Sequence, residues 1–136
     1  MIRHIDHTAD DGYEIIADSL EELFYEAGYE LLDMLYDRKT ISEKDTKEIN
    51  LESPSLDMLL HDFLAELLEI AQYELFPIKR IEIIELSDQK LRAKVYGEPF
   101  DPKKHMFRLE IKAVTYHQLT VKKQGDKWFG RVIFDL

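Results

Sequence analysis

The chain has 136 residues, of which 45% are hydrophobic and 34% charged, as expected for one globular domain over residues 1–136. No apolar run approaches the roughly 20 residues that cross a bilayer, which excludes a helical membrane protein. Because 28 acidic residues face 18 basic ones, the net charge of −10 disfavours direct nucleic-acid binding and favours a cation or a basic protein partner. The chain has no cysteine and no signal-like apolar stretch after Met1, so the cytoplasm is the expected location.

The first elements are two strands and a helix. Residues 1–5 are expected to form a strand that enters a polar loop, and residues 13–17 form the next strand. Ser19 and Glu22 have the spacing of a capping box, which predicts that a helix starts there and runs to about Tyr36. Its apolar face recurs at intervals of three and four residues and consists of Leu20, Leu23, Phe24, Ala27, Leu31, Met34 and Leu35. Gly28 lies on that face, which indicates close approach to another element.

A strand at residues 46–51 precedes a second amphipathic helix at residues 54–75. Ser53 and Pro54 suit its start, and Pro77 stops it by about Leu75. Its apolar positions are Leu56, Leu59, Leu60, Phe63, Leu64, Leu67, Leu68 and Ala71. His61 falls on the polar side of this helix, so we expect it to face solvent and assign it no role.

From Ile78 onward the apolar period becomes two, which predicts a meander of strands. Strands around 81–83 and 91–95 are joined by a turn at 87–90, and a long strand covers 105–115, with Phe107, Leu109, Ile111 and Ala113 inward. Residues 116–122 continue that strand or pair with it, and residues 128–134 form the last strand. The predicted class is α+β, a two-layer sandwich with both helices on one face of a mostly antiparallel sheet.

Acidic groups gather at two places that the fold could join. Asp10 and Asp11 stand in the polar loop with His7, and Asp135 stands beside the carboxylate of the terminal Leu136. Carboxylates so close disfavour their ionised forms unless a cation lies between them, and hard divalent ions prefer oxygen ligands. The alternatives are that Asp10 and Asp11 are ordinary turn residues and that Asp135 is a fraying terminal residue.

A lysine and a histidine near this acidic group suggest phosphate binding. Lys112 and His117 lie in or after the long strand, where they could contact phosphates that a metal ion also bridges. The alternative is a solvated strand face. Gly-rich phosphate loops, His-x-x-x-His and Gly-x-Ser-x-Gly are absent from the sequence, so enzymes with those signatures have no support.

Several motifs along the whole chain resemble the archease family. They are His7-Thr8-Ala9-Asp10, the helix start 18–24, the helix 55–68, Gly97-Glu98-Pro99-Phe100-Asp101 with His105, the run 110–117, and the ending Ile133-Phe134-Asp135-Leu136. One departure is Asp11, where the family usually has an apolar residue.

The resemblance implies a two-layer fold and a divalent cation, with Ca²⁺ expected and Mg²⁺ or Mn²⁺ as alternatives. Asp10, Asp135 and Leu136 are the implied ligands, and His7, Lys112 and His117 the residues facing a partner or a phosphate. Archeases assist the GTP-dependent RtcB-type RNA ligase of tRNA splicing and RNA repair by promoting its guanylylation and turnover. The resemblance therefore implies an accessory protein that seals no RNA itself.

Two other functions remain open at this point. One is a chaperone-like modulator of a tRNA-modifying enzyme such as a tRNA methyltransferase, which should expose an apolar patch of several hundred Å². The other is a small metal-dependent hydrolase, which should turn over substrate by itself. An activator should do nothing without its ligase.

Overall fold

The structure, a computed structural model, describes the backbone of residues 1–6 and 10–136 and the side chains of residues 1–5 and 11–136. The described residues form two α-helices, α1 (Leu20–Leu35) and α2 (Leu56–Leu68). The strands are β1 (Ile2–Asp6), β2 (Asp10–Ala17), β3 (Asp45–Glu52), β4 (Ile78–Leu86), β5 (Lys90–Gly97), β6 (Ala113–Val114), β7 (Thr120–Gln124) and β8 (Lys127–Asp135). No helix in these described ranges has the length and hydropathy needed to cross a membrane.

In the described part of the chain, all strand pairs are antiparallel and form two sheets. In the five-stranded sheet, β2 lies between β1 and β8, and both β6 and β7 pair with the other edge of β8. In the three-stranded sheet, β5 lies between β3 and β4. Both helices contact both sheets, and the core lies between the helical and the sheet layers. The predicted α+β class is confirmed, although its strands divide into two sheets.

The first helix forms as its sequence pattern predicts. The Ser19 hydroxyl oxygen accepts the amide of Glu22 at 3.1 Å, and the Glu22 carboxylate accepts the amide of Asp18 at 3.3 Å. These bonds satisfy amides that the first turn of a helix leaves without partners. A Cβ on Gly28 would lie 2.8 Å from Cδ1 of Ile81, so the glycine allows β4 to pack closely on α1.

The second helix begins later than predicted. Ser55 caps it by accepting the amide of Met58 at 3.3 Å, whereas the Ser53 hydroxyl donates to Asp62 at 2.6 Å. Beyond Leu68 the helix widens into a π-helical turn, Glu69–Tyr73, and the chain leaves it at Leu75, as Pro77 predicted.

The predicted long strand over residues 105–115 is wrong, because only Ala113–Val114 is a strand. The preceding backbone bonds other partners: the Arg108 amide donates to the Leu35 carbonyl at 2.8 Å, and Phe107 forms a single bridge with Tyr36. Ile111 is fully buried as predicted, but Phe107 and Ala113 are exposed. The end of α1 thus forms the backbone hydrogen bonds with residues 107–108 that a neighbouring strand would otherwise form.

Candidate functional site

The two acidic segments meet at the backbone. In the register of β2 and β8, Asp10 lies directly opposite Asp135, and Asp11 lies opposite Phe134. Both aspartates begin β2 and are not turn residues. The side chain of Asp10 and the whole of His7 lie outside the described residues, so their part in a metal site stays a prediction.

The chain end is held on both sides. Asp135 pairs with Asp10 of β2 and with Ala113 of β6, and its carbonyl accepts the amide of Lys112 at 2.8 Å. Two residues earlier in β8, the Ile133 carbonyl accepts the Thr115 amide at 2.9 Å. The Asp135 backbone is therefore part of a central strand and does not fray, while its side chain is exposed.

The predicted phosphate-facing residues are also exposed. The Lys112 backbone is fixed on both sides, because its amide bonds Asp135 and its carbonyl accepts the Tyr73 hydroxyl at 2.8 Å. His117 lies in the turn between β6 and β7, where its amide donates to the Thr115 hydroxyl at 3.2 Å. Within the described part of the chain, neither the Lys112 ammonium nor the His117 ring forms an ion pair. Both side chains point to solvent and could contact a ligand.

These residues suit a hard cation chemically. Carboxylate and carbonyl oxygens are the donors that Ca²⁺, Mg²⁺ and Mn²⁺ take, and the β2–β8 register brings two aspartate positions next to the chain end. Among the described side chains, no group of three or more His, Asp or Glu residues is placed to hold an ion. The predicted set needs Asp10, whose side chain is not described.

His61 corrects the prediction that it faces solvent. It is 8% exposed, and its ring stacks on Tyr116 with 4.1 Å between ring centroids. Its Nε2 lies 3.0 Å from the Val114 carbonyl and its Nδ1 lies 3.0 Å from Asp62. The polar side of α2 is covered by the short strand β6, whose backbone needs hydrogen-bond partners. Asp57 lies four residues before His61, on the same face of α2, and its carboxylate accepts the Val121 amide of β7 at 2.6 Å. Two polar side chains at this spacing are the signal in the sequence that this helix face bonds neighbouring strands.

A second acidic group lies in the loop after β5 and is fully paired. Glu98 is 3% exposed, and one of its oxygens accepts the Ser42 amide at 2.7 Å and faces His105 Nε2 at 2.9 Å and Lys104 at 2.8 Å. His105 Nδ1 accepts the amide of Asp101 at 3.0 Å, so Nε2 carries the ring hydrogen and donates a hydrogen bond to Glu98. Burial acts to raise the pKa of Glu98, but the bonds from Lys104, Ser42 and His105 outweigh it and lower the pKa to about 2. The sequence marks this loop as one of the motifs that resemble the archease family, but nothing in its pattern predicts the pairing of Glu98 with His105 and Lys104.

Comparisons with known proteins identify the family of the chain. The model of the Archease protein family (MTH1598/TM1083) matches residues 3–136. The chain is 37% identical to the archease of Pyrococcus abyssi, covering 98% of this chain and 96% of that protein, and 35% identical to the archease of Methanopyrus kandleri, covering 97% and 96%.

Two solved structures share the fold. The solution structure of Methanobacterium thermoautotrophicum protein 1598 matches with a TM-score of 0.79 and 28% identity, covering 99% of this chain and 98% of that one. The crystal structure of a Thermotoga maritima archease, described as a possible chaperone, matches with a TM-score of 0.68 and 28% identity, covering 100% and 98%. The family model, the sequence relatives and the shared fold together establish that this chain belongs to the archease family.

Proposed function

We propose that this protein is a metal-binding activator of the GTP-dependent RtcB-type RNA ligase, which promotes guanylylation and multiple turnover of the ligase in tRNA splicing and RNA repair. Membership of the archease family supports the class of function. The observation that carries the proposal is the strand register, which puts Asp10 opposite Asp135 beside the chain end. In this proposal the protein seals no RNA and needs its ligase to have any effect.

Asp10, Asp135 and the terminal Leu136 would hold the ion. Strand pairing on both sides fixes the Asp135 backbone, so the exposed carboxylate extends from a rigid backbone position. Rigid placement lowers the entropy lost when a ligand is bound. When bound, a divalent ion supplies positive charge that can bridge phosphate or carboxylate oxygens of the partner.

Lys112 would contact a phosphate beside the ion. Its backbone is held by Asp135 and Tyr73, while the ammonium group extends into solvent. A lysine ammonium binds phosphate oxygens as a mobile point charge, with up to three donated hydrogen bonds. His117, in the turn that follows β6, and His7 are the other residues proposed to face the partner.

The direct experiment is multiple-turnover ligation by a cognate ligase, with and without this protein. We expect the wild-type protein to raise the number of turnovers and the rate of ligase guanylylation, and to do nothing alone. Asp135→Ala should abolish this stimulation and still fold, because the exposed Asp135 side chain contributes little packing. An unchanged ligation rate with the wild-type protein present would refute the proposal.

A chaperone-like modulator of a tRNA-modifying enzyme, such as a tRNA methyltransferase, is the second candidate. Two observations favour it: the description of the Thermotoga maritima relative as a possible chaperone, and the exposed apolar side chains of Tyr73, Leu75 and Phe107 around one pocket. This function predicts that the protein suppresses aggregation of a heated tRNA methyltransferase. It also predicts that Asp135→Ala retains that ability, because the apolar pocket is unchanged.

A further inference from the structure

Leu75, two residues after the π-helical turn that follows α2, has a backbone conformation that leucine rarely adopts. After the π-helical turn Glu69–Tyr73, Leu75 has a φ of 55°, and the next amide, of Phe76, closes back on the Ile70 carbonyl at 3.1 Å. Chains usually place glycine or asparagine at this position, because a left-handed backbone brings Cβ too close to the following carbonyl. A leucine here therefore destabilises the backbone locally.

Burial does not offset this strain. The Leu75 residue is 48% exposed, and it lines a pocket of about 310 Å³ together with Gln72, Tyr73, Phe107 and Glu110. Tyr73 is 53% exposed and Phe107 is 37% exposed. We call Tyr73, Leu75 and Phe107 the Leu75 surface. Strained residues persist where the surrounding structure fixes them, and they cluster at functional sites.

One carboxylate, that of Glu110, lines the pocket of the Leu75 surface. Glu74 follows the π-helical turn, but its carboxylate is paired with the Lys47 ammonium at 2.6 Å. Because the whole chain has a net charge of −10, a second copy would bring like charges together. Glu110 and this net charge fit a partner that presents an apolar side chain beside a lysine or arginine.

Hydrogen bonds join the Leu75 surface to the chain end. The Tyr73 hydroxyl donates to the Lys112 carbonyl at 2.8 Å, and the Gln72 side chain bonds both the amide and the carbonyl of Ile111, at 2.9 and 2.6 Å. The Lys112 amide in turn donates to the Asp135 carbonyl at 2.8 Å. A protein that reaches Asp135 therefore finds the Leu75 surface next to it, separated by the backbone of one residue.

We propose that the Leu75 surface is a docking site for an apolar side chain, flanked by lysine or arginine, on the ligase that the Asp135 site activates. This inference rests on the proposed function. The half-exposed Tyr73 ring, in one pocket with Leu75 and Phe107, is an aromatic anchor of the kind that dominates protein interfaces, and Glu110 favours a basic partner. Docking holds the partner, while the chain end acts on it.

Leu75→Asn separates docking from folding. Asparagine tolerates the left-handed backbone, so the melting temperature should stay equal or rise by about 2–5 °C. The apolar side chain is lost, so the affinity for the purified ligase, measured by calorimetry, should fall about 5- to 30-fold. Ile84→Asn is the matched control, because Ile84 is also 48% exposed but lies on β4. The control should bind the ligase as the wild type does.

Stimulation at saturating concentration distinguishes this inference from the proposed function. Leu75→Asn should regain full stimulation when its concentration exceeds its weakened dissociation constant, whereas Asp135→Ala should not stimulate at any concentration. Equal affinity of Leu75→Asn and wild type, or equal weakening by Ile84→Asn, would overturn the docking site and leave the activator function intact. A wild type that binds through Leu75 without stimulating ligation would instead overturn the activator function.

The basic character of the partner is tested by salt. Raising NaCl from about 50 to about 300 mM should weaken binding of the wild-type protein, since exposed charges are screened over that range. Glu110→Gln should bind more weakly at low salt and depend less on salt. Identical salt dependence of the wild type and Glu110→Gln would refute the charge complementarity.

Discussion

The chain end and the Glu98 loop both carry acidic side chains, but their hydrogen-bond partners differ. Glu98 is buried and receives bonds from Ser42, Lys104 and His105, all within the chain. At the chain end the strand ladder fixes the backbone of Asp135, while its carboxylate is exposed. A fully paired buried carboxylate stabilises the fold, whereas a fixed backbone with an exposed carboxylate suits a ligand. The contrast assigns Glu98 to stability and Asp135 to binding.

The largest expected effect on stability is that of Glu98→Ala. Removal of the carboxylate leaves the part-buried Ser42 amide and the buried His105 Nε2 without an acceptor. This loss should cost about 3 kcal/mol and lower the melting temperature by about 10 °C. Stimulation of the ligase measured well below that temperature should persist. Asp88→Ala, an exposed turn residue, is the control and should change neither quantity. A normal melting temperature for Glu98→Ala would remove the contrast between the two regions.

Lys112→Ala should show the opposite pattern. If the ammonium contacts a phosphate, loss of one charge-assisted hydrogen bond should cost about 1.5–3 kcal/mol, or roughly 10- to 150-fold in the stimulated rate. The melting temperature should not change, because the side chain is exposed and the backbone bonds remain. Lys123→Ala, an exposed lysine of β7, is the matched control. A lower melting temperature with full stimulation would make Lys112 a structural residue.

His61→Phe tests a second buried, hydrogen-bonded side chain, which contacts the backbone of β6. Phenylalanine keeps a ring that can stack on Tyr116 but loses the bonds to Val114 and Asp62. We expect a loss of about 1–2 kcal/mol in the free energy of unfolding, measured by urea denaturation. Tyr116→Phe keeps the stacking and is the control. Equal stability of His61→Phe and wild type would return His61 to the role of a surface residue.

Lowering the pH should reduce the stability that Glu98 contributes to the fold, over a range set by its pKa. The folded pKa of Glu98 is lowered from 4.5 to about 2, so the stability it contributes is present above pH 4.5 and is lost as the pH falls towards 2. The melting temperature of the wild type should therefore fall more steeply between those pH values than that of Glu98→Gln. Parallel curves for the two proteins would show that this carboxylate does not carry the acid sensitivity.

Local sequence patterns were enough to predict the helices and most strands. The capping box at Ser19 and the apolar spacing of α1 act within a few turns of the chain, and the alternation of Leu91, Ala93 and Val95 matches the buried face of β5. The sequence placed Asp10 in a polar loop and made a shared site conditional on the two ends meeting, whereas the structure pairs Asp10 with Asp135 in the β2–β8 ladder. Its register, however, depends on pairing between distant strands.

The predictions from the sequence were wrong where side chains from distant parts of the chain form the hydrogen bonds expected of a regular strand. The strand expected over 105–115 is interrupted because Gln72, far away in the sequence, takes both polar groups of Ile111. His61 is buried because a polar helix face can serve as a partner for an edge strand. The left-handed backbone of Leu75 had no local signal, since glycine or asparagine would mark such a position.

The most direct test is calorimetric titration of Ca²⁺, Mg²⁺ and Mn²⁺ into the wild type, Asp10→Ala and Asp135→Ala, with Asp88→Ala as the control. Binding by the wild type and Asp88→Ala, together with its loss in both Asp10→Ala and Asp135→Ala, is the result we predict. All four proteins should share the same circular dichroism spectrum at the titration temperature. Equal binding by all four would contradict the assignment of the ion to the chain end.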